Sequence, residues 1–498
     1  MEECDGKSTP IREFYRGTNV FITGCTGFMG KVLVEKLLRS CPHIAKLFLM
    51  LRSKKGKDWQ TRLDETFQDV IFDRLKKEVP DFEQKITIVS GDCQAEQLGL
   101  SSSDRRLIIE EVDIVFHVAA TVRFDEKLNI SFNTNAKATE DILDLAHEMK
   151  KLKALILVST AYSNCHLPDI EEKLYTYPYT YNNMKAIVNS GNDKILDAVT
   201  KILLEDWPNI YTFTKAIAED LMREKGIGLP VGIFRPAIGV GTYKEPIPGW
   251  IDNFNGPTAA VVAALVGMLR TFYADVSKKA NIIPVDMSIN ALIASAWDIA
   301  NRPRPQSGDD IRVYNYVSVL QNRVYWSDLI KAMSAIRETA PSIKTVWYPY
   351  GWTVSNRFLH LFITATMHFL PAAIVDGILF LTGKKPKFVK LYKKAYLFNE
   401  SLAHFGLREW NFTNNNVLEL HNKLDEDDKS IFYFDFKDVD WNKFLMNFTI
   451  GARVHLIKDD LSTVPQAKTK LRRLYIADLI LKIILVSLLF WILYSMYH

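Results

Sequence analysis

Cysteine is scarce in this 498-residue chain: Cys4, Cys25, Cys41, Cys93 and Cys165 are the five, all in the first third. An odd number with no paired ligand spacing argues against a disulfide framework and a thiolate metal centre, and fits a reducing compartment. The chain also has no block of basic residues, and its formal net charge of +4 is small for its length, which speaks against nucleic-acid binding. The opening Met-Glu-Glu-Cys-Asp-Gly-Lys has no basic stretch followed by an apolar one, so no secretory leader is expected. Apolar material is plentiful: 48% of residues are hydrophobic, enough for two or three domains with a large core.

The stretch from Asn19 to Lys36 reads as strand, glycine turn and helix. Val20 to Thr23 is a short apolar run, and Gly24, Gly27 and Gly30 follow at three-residue spacing, which lets backbone N–H groups approach a pyrophosphate at a helix N-terminus. Thr23, Gly24, Thr26, Gly27, Phe28, Met29 and Gly30 are the expected cradle, with Gly30 bare where the helix must press on the sheet. A second strand, Lys46 to Arg52, runs into Ser53-Lys-Lys-Gly56. An acid at this tip would signal NAD by accepting from the ribose 2′-OH. Here the tip offers cations instead, so Arg52, helped by Lys54, is expected to hold the 2′-phosphate of NADPH.

Lys85 to Ser90 reads as a third strand leading to Asp92, expected beside the adenine, and Val112 to Thr121 as a fourth. Ala119 and Ala120 end that strand with side chains small enough for the cofactor to cross, and His117 reads as a core histidine. Asn135 to Glu148 has a helical pattern, and Ala154 to Thr160 and Val231 to Pro236 are further strands. Continuous apolar strands alternating with helices predict an α/β fold, a doubly wound parallel Rossmann sheet with ligands beyond the carboxyl ends of its strands. Thr160 stands at one such end. Tyr211 and Lys215, four apart, share a helix face, where an ammonium would favour the phenolate and ready the tyrosine for proton exchange. Tyr181 and Lys185 have the same spacing, but they sit in a proline-interrupted aromatic stretch, and the sequence favours Tyr211.

Gly24-Cys-Thr-Gly-Phe-Met-Gly-Lys31, the Leu-Arg-Ser-Lys-Lys-Gly tip, Ser159-Thr-Ala-Tyr162, Tyr211-Thr-Phe-Thr-Lys215 and Phe234-Arg-Pro-Ala237 together resemble the extended short-chain dehydrogenase/reductases, and among them the alcohol-forming fatty acyl-CoA reductases. Asn253-Phe-Asn-Gly-Pro-Thr258, Ile283-Pro-Val-Asp-Met287, Leu397-Phe-Asn-Glu400 and Phe434-Asp-Phe436 extend the resemblance over nearly the whole chain. Met29 stands where the family more often has leucine. The resemblance implies Tyr211 as proton donor, Lys215 as its partner, Thr160 as hydrogen bonder to the carbonyl oxygen and Asn135 completing the site. It also implies NADPH-dependent reduction of long-chain acyl-CoA to a primary alcohol through an aldehyde. The same sheet and Tyr/Lys pair also serve sugar-nucleotide epimerases and dehydratases, and a membrane-tethered dinucleotide sensor is a third, non-catalytic reading.

The expected organisation is a lead over residues 1–17, a cofactor and catalytic domain over 18–300, a connection over 301–355, a mainly helical C-terminal reductase domain over 356–455 and a transmembrane tail over 474–497. Phe358 to Thr382 is apolar, yet His360, His368, Pro371 and Asp376 disfavour a simple span and point to a buried or interfacial helical pair. Leu474 to Tyr497 would be about 36 Å long as helix, enough for a hydrocarbon core of about 30 Å. Asp478 and Lys482 interrupt it near one end, where they can pair and the lysine can snorkel. Lys468, Lys470, Arg472 and Arg473 precede it, so the body is expected in the cytosol with the tail in a bilayer, the endoplasmic reticulum being favoured over the peroxisome.

Overall fold

The structure is a computed structural model that describes residues 8–52 and 58–497. It divides into two compact units interleaved along the chain, the first of residues 1–247, 281–323 and 410–439, the second of 248–280, 324–409 and 440–498.

The first unit is built on seven parallel strands: β1 (Asn19–Thr23), β2 (Lys46–Leu51), β3 (Ile86–Ser90), β4 (Ile114–His117), β5 (Ala154–Val158), β6 (Val231–Pro236) and β7 (Arg312–Tyr316). Their order across the sheet is β7-β6-β5-β4-β1-β2-β3. The chain therefore winds outward one way from β1 and the other way from β4, and the crevice between those two tips is where this topology places ligands. Helix α1 (Phe28–Ser40) follows β1, and α2 (Ala138–Glu148) precedes β5. Helix α3 (Ile210–Lys225) precedes β6 and packs on α2, while α4 (Val285–Ala300) packs on α1. Strand β5 is buried at every position, as its unbroken apolar run requires.

Six of these strands match the runs expected from the sequence; β7 lies beyond the boundary expected near residue 300. Its sequence, Arg-Val-Tyr-Asn-Tyr, places an asparagine inside a strand that is buried at four of its five positions. Asn315 is fully buried and satisfied, its amide donating to the carbonyls of Ile170 (3.3 Å) and Thr413 (3.0 Å). The expected 356–455 domain likewise yields 410–439 to the first unit. Asn411–Phe412 pairs with Asp169–Ile170, and the Tyr316 hydroxyl donates to the Phe434 carbonyl at 2.9 Å. Nothing in local periodicity announces a chain that returns to an earlier domain.

The second unit is mainly helical, as expected. Its backbones approach closely at Gly451, where a Cβ would lie 1.7 Å from the Gly249 carbonyl oxygen. A short parallel pair, Thr271–Tyr273 with Trp352–Val354, precedes α5 (Arg357–Leu381). Helix α5 is continuous through a π turn at Ala365–Phe369, just ahead of Pro371, whose missing N–H leaves one carbonyl of the preceding turn without its usual donor. By length and composition alone the helix is apolar enough to cross a membrane. After α6 (Phe388–Leu407), the chain ends in α7 (Val464–Tyr497), ten residues longer at its start than the expected span. Asp478 and Lys482 do pair, at 2.7 Å. The lysine does not snorkel alone, however: it lies 4.2 Å above the Tyr350 ring, and Trp347 Nε1 donates to Asp478 at 2.7 Å.

Candidate active site

The glycine turn meets the tip of β4 at van der Waals contact. Gly24 has φ of +75°, and a Cβ on it would stand 2.7 Å from the Ala119 nitrogen, so only glycine fits between the two strand ends. A Cβ on Gly30 would fall 2.1 Å from the Gly24 carbonyl oxygen and 2.7 Å from Cys25 Cα. Gly30 thus lets α1 press on the turn itself rather than on the sheet. Gly27 caps α1 without a side-chain bond, and Thr26, Phe28 and Met29 line the turn, each partly exposed.

Thr23 differs from the expected cofactor contact. It is fully buried, shares a 2.7 Å hydrogen bond with His117 Nδ1 and accepts the Ala119 N–H at 3.2 Å, so it fixes the β4 tip from beneath. His117 is the core histidine expected, pushed down to about 3 by burial and then by the nearby Lys215 charge, and so neutral. Ala119 and Ala120 stay partly open above it.

At the β2 tip, Arg52 Nη1 lies 3.2 Å from Asp92, both half-exposed. Lys54 lies outside the described residues. The sequence reading missed Arg62, whose guanidinium donates to Thr26 Oγ1 at 3.0 Å and to the Arg52 carbonyl. It lies one helical turn into the charged stretch after the tip, a place where a cation could reach back to the glycine turn.

Tyr211 and Lys215 occupy the first turns of α3, begun by Asn209 capping the Thr212 N–H. The Thr160 hydroxyl, two residues past β5, hydrogen-bonds the Tyr211 phenol. Burial pushes that phenol up to about 12, and the Thr160 bond only partly opposes it. The expected lowering by Lys215 is therefore not what governs this tyrosine. Lys215 is itself buried, donates to the Val158 carbonyl at 2.8 Å, and is brought down to about 8 by desolvation, with Glu219 opposing. The pair holds a protonated phenol beside a cation that titrates just above neutrality.

Asn135, in the π turn Asn133–Lys137, is fully buried. Its side chain accepts the Thr121 N–H at 2.9 Å and donates to the Thr121 carbonyl (3.1 Å) and the Thr214 hydroxyl (3.0 Å). It ties the chain after β4 to the residue beside Lys215, which makes it a positioning residue. A second support escaped the sequence reading: Glu219 and Arg235, both fully buried, form a two-pronged pair at 2.7 and 2.9 Å, and Ser159 donates to the same carboxylate. The pair locks α3 against β5 and β6. An arginine inside an otherwise apolar strand was the available signal.

Tyr181 and Lys185 share a carboxylate instead. Both reach Glu140 Oε2 at 2.7 Å, and Lys225 reaches Oε1 at 3.0 Å, with Tyr181 stacked on Phe132. The cysteines other than Cys4, which lies outside the described residues, are buried thiols, and burial raises Cys25, Cys41 and Cys93 to about 12. Among the described residues no cluster of histidine, cysteine or acidic side chains could hold a metal.

Two family profiles, both described as male sterility protein, match residues 22–292 (the NAD-binding region) and 367–459. Fatty acyl-CoA reductase wat of Drosophila melanogaster is 38% identical over 98% of this chain and 93% of its own length. Fatty acyl-CoA reductase 1 of Homo sapiens is 36% identical over 93% of this chain and 89% of its own. Among solved structures, the reductase domain of a nonribosomal peptide synthetase from Mycobacterium tuberculosis matches at a TM-score of 0.58 and 18% identity, covering 88% of this chain and 92% of that one. The reductase domain of the myxalamid pathway matches at 0.55 and 18%, covering 90% and 93%. At such identity these two speak to the fold, and the fold agrees with what the full-length relatives establish: the chain belongs to the fatty acyl-CoA reductase family of the extended short-chain dehydrogenase/reductases.

Proposed function

We propose that the protein reduces long-chain acyl-CoA to primary alcohol with NADPH, through the aldehyde and with release of CoA. The convergence of Thr160, Tyr211 and Lys215 beside the β1/β4 crevice carries this reading, in a chain whose full-length relatives bear that name.

The dinucleotide fits the crevice because Gly24 and Gly30, bare of side chains, let the turn close tightly on the β4 tip and on α1, so that backbone rather than side chains borders the crevice there. The amides of Thr26, Phe28, Met29 and Gly30 would receive its pyrophosphate, with Gly27, whose own N–H is spent on the Gly24 carbonyl, shaping the turn; Arg52, Arg62 and Lys54 would hold its 2′-phosphate, and Asp92 its adenine edge. Ala119 and Ala120 would lie under it, and Lys215 would hold a ribose hydroxyl. When bound, it supplies hydride.

The side chains do the remaining work. Thr160 and Tyr211 hydrogen-bond the thioester carbonyl oxygen where negative charge develops, and a phenol raised to about 12 keeps the proton it must donate. The hemithioacetal then breaks its C–S bond and CoA leaves as the thiol, giving the aldehyde. A second reduction at the same groups yields the alcohol. The balance is one acyl-CoA, two NADPH and two protons in; one alcohol, one CoA and two NADP⁺ out.

Helix α7 is read as a membrane anchor with the body on the cytosolic side, supported by the exposed Arg472 and Arg473 ahead of its apolar stretch and by exposed Ile483, Ile484, Phe490 and Trp491 along it. Acyl-CoA and NADPH are cytosolic pools, and the insoluble alcohol leaves beside a bilayer.

The test is product analysis of the full-length protein in detergent with a panel of acyl-CoAs. Two NADPH oxidised per CoA and per alcohol is the expected stoichiometry. Turnover of sugar nucleotides, or dinucleotide binding with no turnover, would contradict the proposal.

A further inference from the structure

Helix α5 is built inside out. Three of the polar residues that disfavour a membrane span, His360, His368 and Asp376, turn inward, together with Thr364 and the apolar Ile363 and Ala372. His360, Thr364, His368 and Asp376 are buried, at spacings of four or eight that keep them on one face. Each histidine is used: His360 Nδ1 meets the Thr271 hydroxyl at 3.2 Å, and His368 Nε2 accepts the Arg270 N–H at 2.9 Å. Asp376 accepts the N–H groups of Lys387, Phe388 and Val389 at 2.8 to 2.9 Å, capping α6. The opposite face carries Phe358 (84% exposed), Phe362 (65%), Ile374, Ile378 and Phe380 (73%), with Leu381 (84%) at its end. A helix against water would have the reverse arrangement. Apolar residues in one unbroken stripe of this length call for an apolar partner.

Charge says which partner. Directly after the stripe come Lys384, Lys385, Lys387, Lys390, Lys393 and Lys394, all exposed, with no acid among residues 377–399. An apolar stripe bordered by lysines matches the acyl and headgroup layers of an anionic bilayer surface. The inward bonds to Thr271, Arg270 and residues 387–389 run nearly the whole length of the helix, so it cannot cross the bilayer without carrying those polar partners into hydrocarbon.

We propose that α5 lies in the plane of an anionic membrane surface, its outward face immersed at the headgroup–acyl boundary, and serves the second unit as a platform independent of α7. The two helices are fastened to one residue. Arg270, whose N–H is held by α5, points its guanidinium over Tyr350 (4.8 Å) and toward Asp478 of α7 (3.9 Å). Exposed Trp352 and partly exposed Trp347 and Tyr350 surround this junction, the residue types that settle at a membrane boundary.

The experiment uses the full chain with Cys4→Ser, since the four other cysteines are buried. Single substitutions Phe362→Cys, Ile374→Cys and Ile378→Cys, and separately Phe490→Cys in α7, carry a polarity-sensitive fluorophore. The proteins are placed in phosphatidylcholine vesicles with and without phosphatidylserine, and depth is read by lipids quenching at known levels. The three α5 labels should be quenched at one shallow depth, more strongly with phosphatidylserine, while the Phe490→Cys label lies deeper. Lys384→Glu with Lys385→Glu and Lys390→Glu should remove the phosphatidylserine dependence. A steady change of depth from residue 362 to 378, no lipid quenching, self-quenching between copies, or immersion indifferent to phosphatidylserine would each overturn the proposal. A shallow Phe490→Cys label beside immersed α5 labels would instead count against α7 as the anchor and leave the platform standing.

Discussion

Tyr211/Lys215 and Tyr181/Lys185 are two pairs with the same spacing, each on a helix of the first unit, and their surroundings divide their chemistry. Around Tyr211 the partner is a neutral hydroxyl, Thr160, at the carboxyl edge of the sheet, and Lys215 donates only to a backbone carbonyl. Around Tyr181 a carboxylate takes both members and a second cation, Lys225, leaving the phenol fully buried and its hydroxyl committed. Spacing places two groups on one face; the third group decides whether they can work. A carboxylate closes the pair into a structural cluster, whereas a hydroxyl at a strand end leaves it able to turn to a substrate.

The largest effect expected is structural. Glu219→Ala strands the Arg235 guanidinium in the core behind the Tyr211/Lys215 pair, and losing one partner of a buried ion pair costs about 3–5 kcal/mol. Chemical denaturation should show it, and Glu140→Ala behind the other pair should cost less, because Lys185 and Lys225 are both partly exposed and can turn to water. Equal losses would erase the distinction between the two surroundings.

Next comes Gly30→Ala. A Cβ 2.1 Å from the Gly24 oxygen must push α1 off the turn, so dinucleotide affinity should fall at least tenfold, read by fluorescence titration. Unchanged affinity would mean that the glycine turn does not face the cofactor. Smaller again is the effect of Arg52→Asp or Arg62→Ala, each expected to lower the preference for NADPH over NADH by about tenfold in kcat/KM, about 1.4 kcal/mol. Equal use of both cofactors by the unmodified protein would remove the premise.

The order of strands, the glycine turn and the Thr160–Tyr211–Lys215 set were legible because each is local: a run, a spacing, a residue at a run's end. What was not legible depended on the chain coming back. Strand β7 hides behind a buried, satisfied Asn315, and residues 410–439 join the first unit through contacts made by Phe412, Tyr433 and Phe434. Arg62 was passed over because one arginine in a charged helix looks like the rest of its face. The polar residues of α5 disfavour a simple span in the sequence, but periodicity could not say that they turn inward.

The smallest expected effect is on pH. Lys215, lowered to about 8, loses its proton as pH rises through that value while Tyr211 keeps its own to about 12. The pH profile of kcat/KM should therefore turn down near 8, and Lys215→Arg, which stays charged, should shift or remove that limb if it retains activity. A profile flat to pH 10 would detach the lysine from the reaction.

The contrast between the two pairs rests on one comparison, alcohol formation by Tyr211→Phe and Tyr181→Phe measured with saturating acyl-CoA and NADPH. Tyr211→Phe should lower kcat by about 10²–10⁴-fold with NADPH binding retained, and Tyr181→Phe should keep most activity while losing stability. An active Tyr211→Phe beside a dead but folded Tyr181→Phe would contradict the account.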